Sequence, residues 1–323
     1  MKQLARNILI LAKLAACYAY DLFRFAESAL LFSPFRSKDM ARAHLFRLSH
    51  ALEKGLALPL PRAGFGSAKS VDLIKAVERY VDKFGVDDDT RMCVAVVQEV
   101  RQFNARHDIR HEVVEKALEE VWIRYPGLFT ESRHATLSVR KAEIFAALPS
   151  NPEEFFCGRH SVRQFDSQGI KPELIERAVR LAQKAPSVCN RQTGKVYCVT
   201  DPNKIRETLT FQDGNAGFGD TVGALFVITA NLRGFYKIGE RNQGFVDGGL
   251  FAMSLAYAIH SLGLGACFLN WSVSAKQDWK MRRALRIPRN EVVITMMAVG
   301  HLKETFSVAT APRFPIAEAL TWL

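Results

Sequence analysis

Arg159-His160-Ser161-Val162-Arg163-Gln164-Phe165 is the stretch on which the reading of this chain turns. If extended, it sends Arg159, Ser161 and Arg163 to one side, because alternate side chains of a strand share a face. Two guanidinium forks beside a hydroxyl suit a phosphate, which arginine can grip through two parallel hydrogen bonds. A solvated basic loop would have the same composition, so the surrounding sequence has to decide.

Downstream, Pro172 opens a helix through about Lys184, with Leu174, Ile175, Ala178, Leu181 and Ala182 on one face and Pro186 as its stop. Ala185-Pro186-Ser187-Val188-Cys189-Asn190-Arg191-Gln192 follows. Short β-branched or apolar runs predict strands at Val196–Thr200, Leu225–Thr229, Ala266–Asn270 and Val292–Val299. Between them, a broad apolar face over Val246–Leu262 predicts a buried helix that Gly263 ends as a C-cap. This order implies an α+β fold with a mixed sheet flanked by helices, though not its strand topology.

Upstream the texture is all-helical. Periodic segments predict helices near 3–31, 37–54, 70–84, 88–106, 111–123 and 132–147. Pro149-Ser150-Asn151-Pro152 reads as a linker, dividing a helical extension, 1–150, from a second domain, 151–323. Asp87-Asp88-Asp89 opens the fourth helix and reads as a cap that complements its dipole rather than as a metal site. His107 and His111 stand at i, i+4 with no third ligand at useful spacing, so no metal is expected. His50, Glu53 and Lys54 share one helix face, which Gly55 is expected to end. That cluster is read as a substrate or partner grip or, more simply, as a surface ion pair.

Near the amino terminus, residues 8–35 are rich in Ile, Leu, Ala and Phe, but Lys13, Asp21, Arg24 and Glu27 interrupt them. Lys2 and Arg6 ahead of a stretch ending Leu14-Ala15-Ala16-Cys17 imitate a lipoprotein signal, which Lys13 contradicts. No transmembrane segment is expected. The reading is an amphipathic helix packed on the protein's own body or on a partner subunit, with Leu9, Leu14, Leu22 and Phe25 buried; peripheral membrane contact stays open.

Composition narrows the class. Of 323 residues, 48% are hydrophobic and 24% charged, which excludes wholesale disorder. The net charge of +11 is spread over both halves, with 23 basic and 18 acidic residues through Ser150, so there is no basic arm and no nucleic-acid partner is expected. Six cysteines without CxxC spacing read as reduced thiols of a cytoplasmic protein.

Taken together, RHSVRQF, one helix and then APSxxNxQ resemble the opening of the FMN-dependent nitroreductase family. Gly263-Leu264-Gly265-Ala266-Cys267 resembles that family's GLG-x-C turn, Val299-Gly300-His301 ends a late strand, and Pro312-Arg313-Phe314-Pro315 looks like its terminal basic-proline element. The resemblance covers roughly the last half of the chain. The first half, with its HxxEKGL…GFG pattern, is similar to extended nitroreductase-like proteins associated with bacterial surface-polysaccharide loci.

The resemblance implies an intertwined homodimer with FMN at the subunit interface. Carried over residue by residue, Arg159, His160, Ser161 and Arg163 would hold the phosphate, ribityl chain and pyrimidine edge, with Arg313 adding charge at the phosphate. Pro186, Ser187 and Asn190 would reach across from the other subunit. Asn215 is a looser polar match, and Phe268, Leu269 and Asn270 would lie beside the flavin ring. Trp271 could stack on a substrate or simply pack in the core. The family's Pro-aromatic pair after NxQ is Thr193-Gly194 here, and Ala311 stands where a second basic residue is common.

No protein nucleophile or acid–base triad is required, because hydride chemistry would belong to the flavin. The implied activity is a ping-pong oxidoreductase that takes a hydride from NAD(P)H and delivers it to a small-molecule acceptor such as a nitro compound or quinone. Alternatives are a flavin-dependent oxidase or dehydrogenase of a biosynthetic intermediate, and a non-catalytic flavin-binding adaptor in a biosynthetic complex.

Overall fold

The computed structural model describes residues 2–129 and 135–323. Five long helices come first: α1 (Lys2–Phe25), α2 (Lys38–Leu56), α3 (Ser67–Phe84), α4 (Asp88–Ala105) and α5 (Glu112–Arg124). A π-helical turn, Ala26–Leu30, continues α1. Helices α2 to α5 bury Leu45, Leu52, Leu73, Val77, Val97 and Leu118 in one apolar cluster. Asp87 caps α4, accepting from the Thr90 amide at 3.2 Å while the Thr90 hydroxyl answers the Asp87 amide at 3.0 Å.

The expected helix at 132–147 is much shorter. Residues 130–134 lie outside the described residues, and the helix found is α6 (Lys141–Ala146), which buries nothing. The Glu99 carboxylate takes the Ala135 amide at 2.6 Å and the Thr136 hydroxyl, diverting this backbone from a helix.

Gly55 does not end α2, which runs on to Leu56. Its missing side chain makes room for Phe65, since a Cβ there would lie 2.4 Å from that ring. The loop that carries Phe65 is stapled by buried Asn104, whose Oδ1 accepts from the Gly64 amide at 2.8 Å and whose Nδ2 donates to the Phe65 carbonyl at 3.0 Å. His111 Nε2 adds a bond to the Gly64 carbonyl at 3.1 Å. His50 meets Glu53 at 3.3 Å, and the Ser49 hydroxyl donates to the same carboxylate at 3.2 Å.

The second half begins with α7 (Pro152–Cys157) and α8 (Pro172–Ala182), then β1 (Gly194–Val199), α9 (Pro202–Leu209) and β2 (Ala224–Asn231). It continues through α10 (Gln243–Ser261), β3 (Leu264–Leu269), α11 (Ala275–Ala284), β4 (Glu291–His301) and α12 (Ile316–Ala319). The sheet order is β1-β2-β4-β3 with every neighbour antiparallel. Its parallel component is a single bridge between Ser161 and Ala266. Thus the fold is α+β, with helices on both faces.

β2 is a continuous apolar run because both its faces are covered. Ala224, Phe226 and Ile228 meet Phe251, Leu255 and Ile259 of α10, while Leu225 and Val227 share the opposite cluster with Ile205, Met281 and Phe165.

Within one chain, helix α1 buries only the end of its expected apolar face. Phe25 is buried with Ala29 against Leu232 and Phe235, but Leu9, Leu14 and Leu22 are at least half exposed. The helix touches the body only near its end, where Tyr20 and Arg24 reach α11 and β4. Among the described residues, no helix is long and apolar enough to cross a membrane.

Asn104→Ala should lower unfolding stability by about 1–3 kcal/mol, the cost of leaving buried backbone partners unpaired. Urea denaturation of both proteins checks this, and an unchanged midpoint would show that the staple is dispensable.

Candidate functional site

The RHSVRQF segment lies against the end of the sheet. The Val162 amide donates to the Ala266 carbonyl at 3.0 Å, Phe165 bridges Leu302, and the Asp166 amide donates to the His301 carbonyl at 2.9 Å. Two glycines permit this approach. A Cβ on Gly265 would lie 3.1 Å from Val162, and one on Gly300 would lie 2.5 Å from the Phe165 ring.

Val162 and Phe165 therefore plug into the core, leaving Arg159 and Ser161 half-buried and His160 and Arg163 exposed. Beneath them is the buried thiol of Cys267 on β3. Burial pushes its pKa up, whereas the charges of Arg163 and Arg159 both draw it down. Burial outweighs the charges, and the net shift is upward.

The end of β3 carries the next candidates. Phe268 packs partly against α10, and buried Leu269 leaves its backbone as the part that can face a ligand. Asn270 is exposed, and both its carbonyl and its Oδ1 accept from Gln212 Nε2, at 3.3 and 3.2 Å. Gln212 is buried and also accepts from the Gly214 amide at 2.7 Å, so it ties the loop of Asn215 to Asn270. Asn215 donates to the Leu209 carbonyl at 2.9 Å and to the Gln212 carbonyl. A cavity of about 350 Å³, lined by Arg206, Asn215 and Phe218 among others, opens beside this loop.

Trp271 is half-buried against the core, its indole N–H donating to Asp278 at 3.0 Å. Asp278 is a hub, accepting also from the Tyr20 hydroxyl at 2.8 Å and from Arg282 at 2.8 Å, with Arg24 at 3.5 Å. Burial alone would raise its pKa. The hydrogen bonds from Trp271 and Tyr20 and the charge of Arg282 outweigh that and hold the carboxyl below its ordinary value.

Pro186, Ser187 and Asn190 lie elsewhere, in the loop entering β1. The Ser187 hydroxyl accepts from the Gln192 amide at 2.9 Å, and Asn190 is exposed. Three side-chain-bearing residues here adopt left-handed backbone, with φ of 48° at Cys189, 52° at Asn190 and 50° at Gln192. Two buried groups hold the loop so. Asp247 accepts from the Val188 amide at 3.2 Å, and Arg191 donates to the Gly234 carbonyl and pairs with Glu240, both at 2.6 Å. A cavity of about 230 Å³ is lined there by Pro186, Ser187, Gln192, Asp247 and Phe251, with Arg42 of α2.

One chain therefore does not gather all the candidates. Arg159, Ser161 and Arg163 stand with Cys267 at the β3 edge, and Pro186, Ser187 and Asn190 at the β1 edge. The sheet order separates the two by three strand spacings, roughly 14 Å. Arg313 belongs to neither; it stands in an exposed tail and donates to the Ala311 carbonyl.

Sequence reading passed over Gln212, Asp278 and the Arg191–Glu240 pair. An Arg directly after the Asn190 turn was visible, but its acidic partner is 49 residues away. Nothing local marks either Gln212 or Asp278.

The sheet, with residues 161–166 seated on its end, makes an α+β domain. Residues 157–301, a little under half of the chain, match the family model described as the nitroreductase family. It is 27% identical over 167 residues to an FMN reductase (NADPH) of Bacillus subtilis, a match spanning 47% of this chain and 66% of that protein. It is also 26% identical over 181 residues to a Cr(VI) reductase of a Pseudomonas species, covering 52% and 72%.

Similar solved structures include the NfrA1 nitroreductase of B. subtilis, with TM-score 0.46, 26% identity and coverage of 53% and 73%. Another is a Desulfovibrio desulfuricans protein described as a nitroreductase in complex with FMN, with TM-score 0.47, 19% identity and coverage of 54% and 98%. Residues 1–156 lie outside the family match.

Asp278→Asn leaves Arg24 and Arg282 without their shared counter-charge. A depressed folded pKa contributes stability that is full above the ordinary value of 3.8 and lost as pH falls through the folded value. The stability gap between wild type and variant should therefore be widest near neutrality and close as pH falls below 3.8. Thermal melts across pH check this; a gap independent of pH would refute the charge role.

Proposed function

We propose that this protein is an FMN-dependent oxidoreductase that takes a hydride from NAD(P)H and passes it to a small-molecule acceptor of the nitro or quinone type. The observation that carries this reading is the seating of residues 161–166 on the end of the sheet, through the Val162–Ala266 and Asp166–His301 bonds, which places the Arg159-x-Ser161-x-Arg163 run at the β3 edge. The donor set fits the group: two guanidiniums and the Ser161 hydroxyl can hold a terminal phosphate. The family match and the flavin-reductase relative support the assignment.

When bound, FMN supplies the hydride chemistry. The chain binds and orients. Arg159, Ser161 and Arg163 hold the phosphate and ribityl side, with His160 beside them. Phe268 and the Leu269 backbone would lie along the ring, and the amide of Asn270 or a neighbour would offer it a donor. Gln212 keeps Asn270 in place, and Trp271, fixed by Asp278, borders the acceptor side.

Completion of the site by a second copy belongs to the same proposal. Pro186, Ser187 and Asn190 of one subunit would meet the β3 edge of the other, and Arg313 would arrive on the tail. That tail leaves Phe314 85% and Trp322 87% exposed, apolar surface that a homodimer would cover. The division into a helical extension, 1–150, and an FMN-binding domain, 151–323, is likewise proposed, as is a cytoplasmic location, where free thiols such as Cys267 and Cys189 stay reduced.

The purified protein should release FMN, identified by mass spectrometry, and consume NAD(P)H when a quinone or nitro compound is supplied. Arg159→Ala and Arg163→Ala should each weaken FMN binding by about 1.5–3 kcal/mol. Unchanged flavin retention in both would misplace the phosphate.

Sedimentation should show a homodimer, and removal of residues 303–323 should shift it toward monomer. A full-length monomer at micromolar concentration would contradict the shared site.

A further inference from the structure

We propose that α1 is an in-plane membrane anchor that docks the protein on anionic lipid bilayers. Leu4, Ile8, Leu11, Ala15, Tyr18 and Leu22 recur at alternating spacings of four and three, so they form one stripe along the helix. In a soluble body such a stripe is buried. Here Ile8 is 59%, Leu11 63% and Leu22 64% exposed.

The cations sit on the other side. Arg6 and Lys13, seven residues apart, stack on the face opposite the stripe, and from Lys2 to Tyr20 there is no acidic residue. The whole chain carries +11. This is the charge arrangement that an anionic headgroup layer attracts.

Two other occupants fit less well. A second copy of α1 would cover the stripe but leave Leu14 at its margin, half exposed. A bilayer interface accepts the stripe together with Leu14, because the lower half of the helix sinks into it while Arg6 and Lys13 stay at the headgroups. Spanning the bilayer fails on length. From Leu4 to Tyr18 the helix is about 22 Å long, short of the roughly 30 Å hydrocarbon core. The charges of Lys13 and Asp21 also interrupt it, and no helix among the described residues meets the requirement for a span.

The far end of the helix is fixed to the body. Tyr20 and Arg24 bond Asp278 and the β4 strand, and Phe25 is buried. The anchor is therefore rigidly joined to the α11 side of the sheet, and docking would set the orientation of the domain on the membrane.

Co-sedimentation of the full chain with phosphatidylcholine vesicles, with and without phosphatidylglycerol, tests this. The protein should partition onto the phosphatidylglycerol vesicles and largely remain in solution with phosphatidylcholine alone. Arg6→Glu with Lys13→Glu should weaken partition by about five-fold or more for each cation lost. Ile8→Asp with Leu11→Asp, both on exposed positions, should abolish it while leaving the thermal melt intact. Equal binding by the Ile8/Leu11 variant, or no vesicle binding by the wild type, would overturn the proposal. So would a wild-type oligomer that this variant dissolves without any vesicle binding, which would assign the stripe to a second copy.

Discussion

Everything at the β3 edge depends on how closely residues 161–166 approach the sheet. Gly265 and Gly300 remove the two Cβ atoms that would hold the segment off, and Val162 and Phe165 fill the space. Burying each of those side chains contributes about 1.5–3 kcal/mol, an upper figure for well-packed apolar groups. That apolar grip fixes the backbone that carries Arg159, half-buried, and Arg163, exposed.

The helical extension reaches both edges of the sheet, by different means. At the β1 edge, α2 contributes Arg42 to the cavity beside Ser187, and Asp39 accepts from Asn231 at 3.1 Å. These are exposed polar contacts, each worth little, and the position of α2 is set mainly by its own apolar cluster. At the β3 edge, Tyr20 and Arg24 meet Asp278, which holds Trp271 one residue from Asn270. The extension is thus part of the architecture around Trp271 and the Asn190 loop, although the family match begins after it.

Much of this was legible in the sequence, for physical reasons that can be named. Glycine at 265 and 300, an Arg-x-Ser-x-Arg alternation and Pro at a helix start are local signals, and so are the apolar runs that became β2 and β4. The Asp87 cap was readable because capping needs only the three residues that follow it. What stayed hidden depends on distant partners. Asp278 gains its role from Tyr20, 258 residues away, and Gln212 from Asn270, 58 residues away. Gly55 looked like a helix end because glycine often is one, and the competing demand, room for Phe65, is visible only once the GFG loop has folded back. What covers the stripe of α1 stayed hidden as well, because periodicity predicts burial but says nothing about which surface provides it.

That exposure and the buried ionic hub explain each other. Arg24 is 2% exposed, donates to the Glu291 and Arg289 carbonyls, and faces Asp278 and Arg282 in the same pocket. Burying two guanidiniums is costly, and burial together with the charge of Arg282 pulls the Arg24 pKa down while Asp278 holds it up. An apolar contact could have fixed the end of α1 without that cost, but apolar packing is non-directional and tolerates sliding and rotation. A carboxylate that receives three hydrogen bonds at defined angles does not. The helix is therefore fixed in direction by a small polar joint at its base rather than by burial along its length, and the apolar stripe from Leu4 to Tyr18 is left free of intramolecular packing.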